Sequence, residues 1–148
     1  MIADPKPRKR TKKLPPWKRK PDAYCTAPRC HRPRRAIMRC ATHAVRELDT
    51  LWARLVKAKG YCEICRSVLG LQAAHGFSRR YGGTRWVLLN GFCLCNGCHI
   101  RYTHDSLGWT EILRKAWGDL VYEELREIAQ HGGRPDFELT YAALVEAA

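Results

Sequence analysis

The sequence predicts an α+β fold in which short strands and a helix form a small core between longer helices. Short apolar stretches bounded by glycine and asparagine turns lie mid-chain, and stretches with helical periodicity lie on both sides. A chain of 148 residues can bury one modest core. The grouping of its eight cysteines indicates that metal ions hold this core together.

Apolar spacing defines the elements in order. Residues 43–59 carry apolar side chains at the three- and four-residue spacing of an amphipathic helix. Residues 68–71 predict a short strand pair, residues 86–89 a second apolar strand, and Asn90-Gly91 a turn after it. The remaining predicted helices span 95–103, 109–117, 119–130 and 138–148.

Positive charge is concentrated at one end of the chain. Of the formal net charge of +13, residues 1–40 contribute 14 Lys and Arg against Asp4 and Asp22. We interpret residues 1–22 as a disordered basic arm that binds nucleic acid through the release of condensed counterions. With no apolar segment long enough to span a bilayer, we expect a soluble cytoplasmic protein without a membrane partner.

Two C-x-x-C pairs about 30 residues apart supply four thiolates, the ligand set of a closed tetrahedral zinc site. A chain without a secretion signal favours metal binding over disulfides. Zinc-binding modules with no catalytic activity carry the same pattern, so it predicts a structural metal rather than a reaction. The predicted zinc ligands are Cys62, Cys65, Cys95 and Cys98, and Cys93 is expected to be a buried thiol.

A second zinc site is predicted near the N-terminus. Its expected ligands are Cys25, Cys30, Cys40 and His43, with His31 as the alternative fourth ligand. Such a site would anchor the helix that follows and present a rigid basic loop to phosphates. The alternative is a flexible basic linker with incidental cysteines. The arginines of that loop are Arg29, Arg32, Arg34 and Arg35.

Between and after the C-x-x-C pairs lie His75, Asn90 and His99, in an order that matches one known design. A C-x-x-C pair, a histidine at a strand end, an asparagine and then L-C-x-x-C-H resembles the HNH endonucleases. Asn90 stands five residues before Cys95, as that family's pattern expects. The stretches that carry the resemblance are Cys62–Cys65, Ala74-His75, Leu89-Asn90 and Leu94–His99.

The resemblance implies a zinc-stapled ββα-metal (HNH) core that cuts DNA. It implies that His75 is the general base, that His99 holds a catalytic Mg²⁺ or Mn²⁺, and that Asn90 fixes the orientation of His75. Each residue also has a plainer interpretation: His75 as a structural histidine, Asn90 as a turn residue, His99 as a zinc ligand. The tryptophans at 109 and 117 are expected to be core residues rather than base-stacking platforms.

The chain departs from the family's pattern at Ala74, where many members place a second metal ligand. Gln72, His104 and Asp105 are alternative ligands, as are water and substrate oxygens, because Mg²⁺ keeps waters readily. The glycine-containing loop after His75 is expected to border the cleft and to contact the nucleic-acid backbone. Its candidate contacts are Arg79, Arg80 and Arg85.

A looser resemblance extends to the phage-encoded NinG (Rap) recombination nucleases. It rests on Cys25-x4-Cys30, on Ala74-His75, and on the helical segment 109–125. It implies the cutting of branched or displaced-strand DNA in recombination, within the host cell cytoplasm. The resulting division of the chain is a basic arm 1–22, a zinc knuckle 23–44, a helical spacer 45–60, an HNH core 61–104 and C-terminal helices 105–148.

Other function classes remain open on the sequence. Because Ala74 stands where a metal ligand is expected, a second hypothesis is a zinc-stapled DNA-binding or packaging accessory protein with a degenerate HNH site. A viral regulatory adaptor is a third hypothesis. Cutting of DNA by the intact protein distinguishes the first hypothesis from both.

Overall fold

The structure, a computed structural model, describes residues 24–148 and has the predicted α+β fold over that range. Four α-helices and a two-stranded antiparallel sheet make up this part of the chain. The expected basic arm at residues 1–22 lies outside the described residues. The elements are α1 (Ala41–Lys57), β1 (Leu71–His75), β2 (Gly91–Cys95), α2 (Asn96–His104), α3 (Ser106–His131) and α4 (Phe137–Glu146).

The sheet pairs β1 with β2 from Leu71 opposite Cys95 to His75 opposite Gly91. Four of the five residues of β2 are buried, which matches a strand covered on both faces. The long connection between the strands, residues 76–90, carries two short 3-10 turns rather than a tight hairpin turn. Helix α2 follows β2 directly, so two strands and a helix form one compact unit.

The strand predicted at 68–71 is wrong except for its last residue. Val68 and Leu69 lie in an exposed loop, with 66% and 76% of their surfaces accessible. The preceding turn explains this, because the N–H of Cys62 donates to the carbonyl of Ser67 at 2.7 Å and folds the chain back. Gly70 then adopts a positive φ of 62°, so extended backbone begins only at Leu71.

The strand predicted at 86–89 is also wrong, since these residues form a loop that runs into a 3-10 turn at Leu88–Asn90. Side chains of α1 hold this loop in place. The indole N–H of Trp52 donates to the carbonyl of Val87 at 3.1 Å, and that of Trp86 donates to Asp49 at 2.8 Å. Apolar periodicity alone does not reveal such contacts, and the true second strand lies at 91–95.

Helix α1 buries one face against the sheet. Its buried residues recur every four positions, which places them on one side of the helix. The helix starts two residues before the predicted position, with Cys40 at its N-cap. Cys93 is fully buried in the core that α1 covers, as expected. The buried residues of this first core are Leu48, Trp52, Val56, Trp86, Cys93 and Leu144.

A second core lies around Phe92 and Leu94, where α3 packs on the sheet. Trp109 and Trp117 pack against it, in agreement with their expected core role, and both rings lie beside Phe92. Helix α3 is interrupted by a kink at Gly118, whose φ is 75° and ψ 161°. That break lies at the predicted boundary between helices 109–117 and 119–130.

Gly91 provides a test of the packing between α1 and the sheet. A Cβ added there would collide with the side chain of Val56 and lie 3.0 Å from Trp52 Cζ2. We expect Gly91→Ala to lower the free energy of unfolding by about 1–3 kcal/mol, the usual cost of overpacking a core. Urea unfolding of the zinc-loaded protein measures it.

Gly97→Ala is the matched control, because nothing lies within 4 Å of the added Cβ and the residue is helical. Its stability should be unchanged or slightly raised. Equal stability of the two variants would contradict the close approach of α1 to β2.

Candidate functional site

The predicted zinc ligands of the core converge from three segments. Cys62 and Cys65 precede β1, Cys95 ends β2, and Cys98 lies in the first turn of α2. Their four Sγ atoms lie within 4.8 Å of one another, and those of Cys65 and Cys95 are 3.5 Å apart. Four sulfurs bound tetrahedrally at about 2.3 Å from zinc would be separated by about 3.8 Å. The cluster therefore fits a closed structural zinc site.

The N-terminal cluster is also assembled. Nδ1 of His43 lies 3.3 Å from the Sγ of Cys25 and 3.4 Å from that of Cys40, while Cys30 lies 3.9 Å from Cys40. These four ligand atoms also fall within 4.8 Å of one another. His31 stands outside the cluster, so the geometry favours His43 as the fourth ligand. This site joins the basic loop to the start of α1.

Two thiols in these clusters are poised to ionise. Burial disfavours the charged form of Cys62, but backbone N–H groups of the knuckles outweigh it and lower the pKa of this thiol to about 6. The same balance, with His43 contributing, lowers the pKa of Cys25 to about 6. Burial and neighbouring thiols raise the pKa of Cys98 to about 12. Each cluster therefore presents one thiolate near neutral pH, the form that binds zinc.

Metal analysis tests both clusters together. We expect the purified chain to contain two zinc ions, and Cys25→Ser and Cys62→Ser each to lose one, measured by elemental analysis after gel filtration. Cys93→Ser is the control, since Cys93 is an equally buried thiol outside both clusters. Retention of two zinc ions by the Cys62 or Cys25 variant would contradict the assigned ligands.

His75 ends β1, and two contacts fix its ring. The imidazole stacks on the indole of Trp52 with centroids 4.0 Å apart and an angle of 15° between the planes. Its Nε2 lies 2.9 Å from the carbonyl oxygen of Arg85. Because a carbonyl only accepts, Nε2 carries the proton and Nδ1 is left as the acceptor of the neutral ring. Burial lowers the pKa of His75 below its usual value, which keeps the ring neutral.

Helix α1 holds the carbonyl that orients His75. Asp49 accepts hydrogen bonds from Nε and Nη2 of Arg85 at 3.0 and 2.7 Å, and from the indole of Trp86 at 2.8 Å. Burial opposes the charge of Asp49, yet the bonds from Arg85 and Trp86 lower the pKa of its carboxyl. The sequence indicated α1 only as scaffold and gave no sign of Asp49, whose partner is 36 residues away.

Asn90 is fully buried and ties the loop after His75 together. Its Oδ1 accepts from the N–H of Phe77 at 2.7 Å, and its Nδ2 donates to the carbonyls of Phe77 and Thr84, both at 3.0 Å. All three bonds go to the connection between β1 and β2. Asn90 is thus more than a turn residue, because its side chain fixes the loop at two points.

His99 lies on α2, immediately after Cys98, and is half-buried. Its Nδ1 is 2.6 Å from Oε1 of Gln72, and Nε2 of Gln72 donates to Oδ1 of Asn96 at 3.3 Å. Since Oε1 of Gln72 accepts, Nδ1 of His99 carries the proton and Nε2 is available to a cation. His99 is not part of the four-cysteine cluster.

Among the alternative second ligands, Gln72 and Asp105 already have partners. Gln72 holds His99, and Oδ1 of Asp105 accepts from the N–H of Gly108 at the start of α3. Within residues 24–148, groups of three or more metal-ligating side chains occur only at the two cysteine clusters. A cation beside His99 would therefore depend on water and substrate oxygens for the rest of its shell.

His75 and His99 line one cleft of about 840 Å³, with Arg79 and Arg80 on its rim. The predicted phosphate contact Arg85 is instead paired with Asp49, at 2.7 Å. The arginines of the N-terminal loop are exposed, and Arg32 donates to Thr42 at 2.9 Å. The four of that loop are Arg29, Arg32, Arg34 and Arg35.

In comparisons with protein-family models, curated proteins and solved structures, nothing matches this chain. No helix within residues 24–148 is both long and apolar enough to cross a membrane.

The role of Asp49 is testable by the tautomer of His75. Asp49→Ala frees the segment that carries the Arg85 carbonyl, so we expect a mixture of Nδ1–H and Nε2–H tautomers in place of Nε2–H alone. Long-range ¹H–¹⁵N NMR of the zinc-loaded protein distinguishes them. Glu47→Ala is the control, because Glu47 is on the same helix and, among the described residues, pairs only with Arg39, at 3.7 Å. A pure Nε2–H tautomer in the Asp49 variant would contradict this coupling.

Proposed function

We propose that this protein is an HNH endonuclease that hydrolyses DNA phosphodiester bonds and depends on a divalent cation. One observation carries the proposal: β1, β2 and α2 bring His75 and His99 into a single cleft, while Asn90 ties the loop between them. The zinc cluster supports this arrangement, because Cys98 precedes His99 directly and Cys95 ends β2. The cleft is rimmed by arginines, which suits a phosphate substrate.

The contacts of each histidine suit a different task. Nδ1 of His75 takes a proton from water as the water oxygen bonds to phosphorus and the bond to the 3′-oxygen breaks. Burial favours the neutral ring that this step requires. His99 offers Nε2 to Mg²⁺ or Mn²⁺, which when bound supplies Lewis-acid stabilisation of the phosphate charge. Arg79 and Arg80 contact the flanking phosphates.

The proposed biological setting is phage DNA recombination, as in the NinG-like nucleases, within the cytoplasm of the host cell. The layout supports it: a cysteine-rich N-terminal cluster, a helix, the two-stranded core and a helical tail follow one another in that order. Branched or single-strand-containing DNA is the substrate class that this setting implies.

A second candidate function is a zinc-stapled DNA-binding or packaging accessory protein with a degenerate HNH site. Ala74 favours it, because a buried methyl group stands where a second cation ligand is expected. The contact between Gln72 and His99 favours it too, since it removes one possible replacement. Binding of DNA without cutting is the behaviour that this candidate predicts.

Cutting assays separate the two candidates. We expect the zinc-loaded chain to cut supercoiled, linear or branched DNA in Mg²⁺ or Mn²⁺. His75→Ala should lower the rate by about 10²–10⁴-fold, the usual contribution of a general base. His99→Ala should also abolish most of the activity, through loss of the cation.

His131→Ala is the matched control, because His131 is exposed at the end of α3 and its one ion pair within residues 24–148 is with Glu127, at 2.9 Å. Its rate should equal that of the unmodified chain. If no substrate is cut, or if His75→Ala cuts as fast as the control, the nuclease proposal fails. DNA binding with no cutting would support the accessory protein instead.

A further inference from the structure

The outward face of α1 carries a line of basic residues. Arg46, Arg54 and Lys57 are exposed and lie on the side of the helix opposite its buried residues. Arg46 and Lys57 are separated by about 16 Å along the axis, since an α-helix rises about 1.5 Å per residue. We call these three residues the α1 basic stripe. None of them belongs to the motifs that point to a nuclease.

A groove runs beside this stripe and joins the catalytic cleft. Asp49 and Ala53 line both, so the groove on α1 adjoins the cleft of His75. Beyond that junction the groove is lined by Thr50, Arg54 and Lys57. A strand bound in the cleft therefore has an open path past the helix.

The charges of the stripe have no ion-pair partners among the described residues, whereas several charges on α3 do. Arg46, Arg54 and Lys57 form no ion pair with any residue in the range 24–148. Asp49, the acidic residue of the groove, is neutralised by Arg85. On α3, by contrast, the charges pair with each other, as in Arg114–Glu123, Arg126–Glu123 and His131–Glu127. The groove is thus left with uncompensated positive charge.

A helix end explains only part of this charge. Arg54 and Lys57 lie in the last turn of α1, where cations interact favourably with the helix dipole. Arg46 lies two turns earlier, where that effect has died away. The dipole also does not account for a groove that opens into the cleft.

We infer that the α1 basic stripe binds the phosphodiester backbone of DNA as the strand leaves the cleft. Contacts of this kind position the duplex without reading its sequence. The inference rests on the proposed function for its ligand, but it concerns binding and not cutting. Arg79 and Arg80 would hold the strand on one side of His75, and the stripe would hold it on the other.

The test is the salt dependence of DNA binding by the full zinc-loaded chain without added Mg²⁺ or Mn²⁺. A fluorescein-labelled 30-base-pair duplex is titrated by anisotropy across a salt series. Removing two phosphate contacts with Arg54→Ala and Lys57→Ala together should make the slope of log K against log salt less negative by about 1.8. The Kd at fixed salt should rise several-fold.

The matched control is the pair Lys115→Ala and Arg126→Ala, which removes the same charge from exposed positions on α3. Its slope should stay within about 0.5 of the unmodified chain, because neither residue lines the groove or the cleft. Exchange variants Arg54→Lys and Lys57→Arg keep the charge and should keep the slope. Circular dichroism melting shows whether each variant is folded. If the double alanine variant of the stripe is not folded, Arg54→Gln with Lys57→Gln takes its place.

An unchanged slope in the stripe variant, or an equal loss in the α3 control, overturns the inference. These outcomes are separate from those of the nuclease test. If the chain cuts DNA, but the stripe variant has the same salt dependence of DNA binding as the unmodified chain, the proposed function stands and the stripe inference fails. If the chain cuts nothing, but its salt dependence is reduced by the stripe variant and not by the α3 control, the stripe inference stands and the nuclease proposal fails.

Discussion

The convergence of Cys62, Cys65, Cys95 and Cys98 is the constraint on which the rest of the structure depends. Two short strands are marginally stable alone in water. Structural zinc contributes about 10–16 kcal/mol to folding in small zinc modules, as much as the whole stability of a typical domain. The cluster joins the segment before β1, the end of β2 and the start of α2, so it fixes the unit that carries both histidines.

The site also depends on α1, which lies outside that unit. Trp52 stacks on His75. Asp49 binds the side chain of Arg85, whose backbone carbonyl sets the tautomer of His75. The N-terminal cluster uses Cys40, the N-cap of α1, and His43, which lies in its first turn. One cysteine cluster thus positions the two-stranded core, the other anchors the start of the helix that orients His75. Disruption of either cysteine cluster would therefore disturb the position of His75 in the cleft, because the packed elements transmit the change.

Local patterns were predictable, and contacts between distant segments were not. Both ligand sets follow from spacing along the chain. The burial of Cys93 follows from its place beside the second C-x-x-C pair, and the break at Gly118 from the predicted boundary between two helices. The strands at 68–71 and 86–89 were misplaced. The turn between Cys62 and Ser67 controls the backbone before the first, and side chains of α1 hold the second in a loop. The contact between Gln72 and His99, which are 27 residues apart, cannot be predicted from any local pattern.

Anomalous diffraction from crystals grown with Mn²⁺, recorded at the zinc and manganese absorption edges, tests the central claim most directly. The account predicts one zinc peak within each cysteine cluster and a manganese peak beside Nε2 of His99, in the cleft lined by His75. Zinc absent from the cysteine clusters would contradict the structural basis of the site. No manganese at His99 would contradict its proposed chemistry.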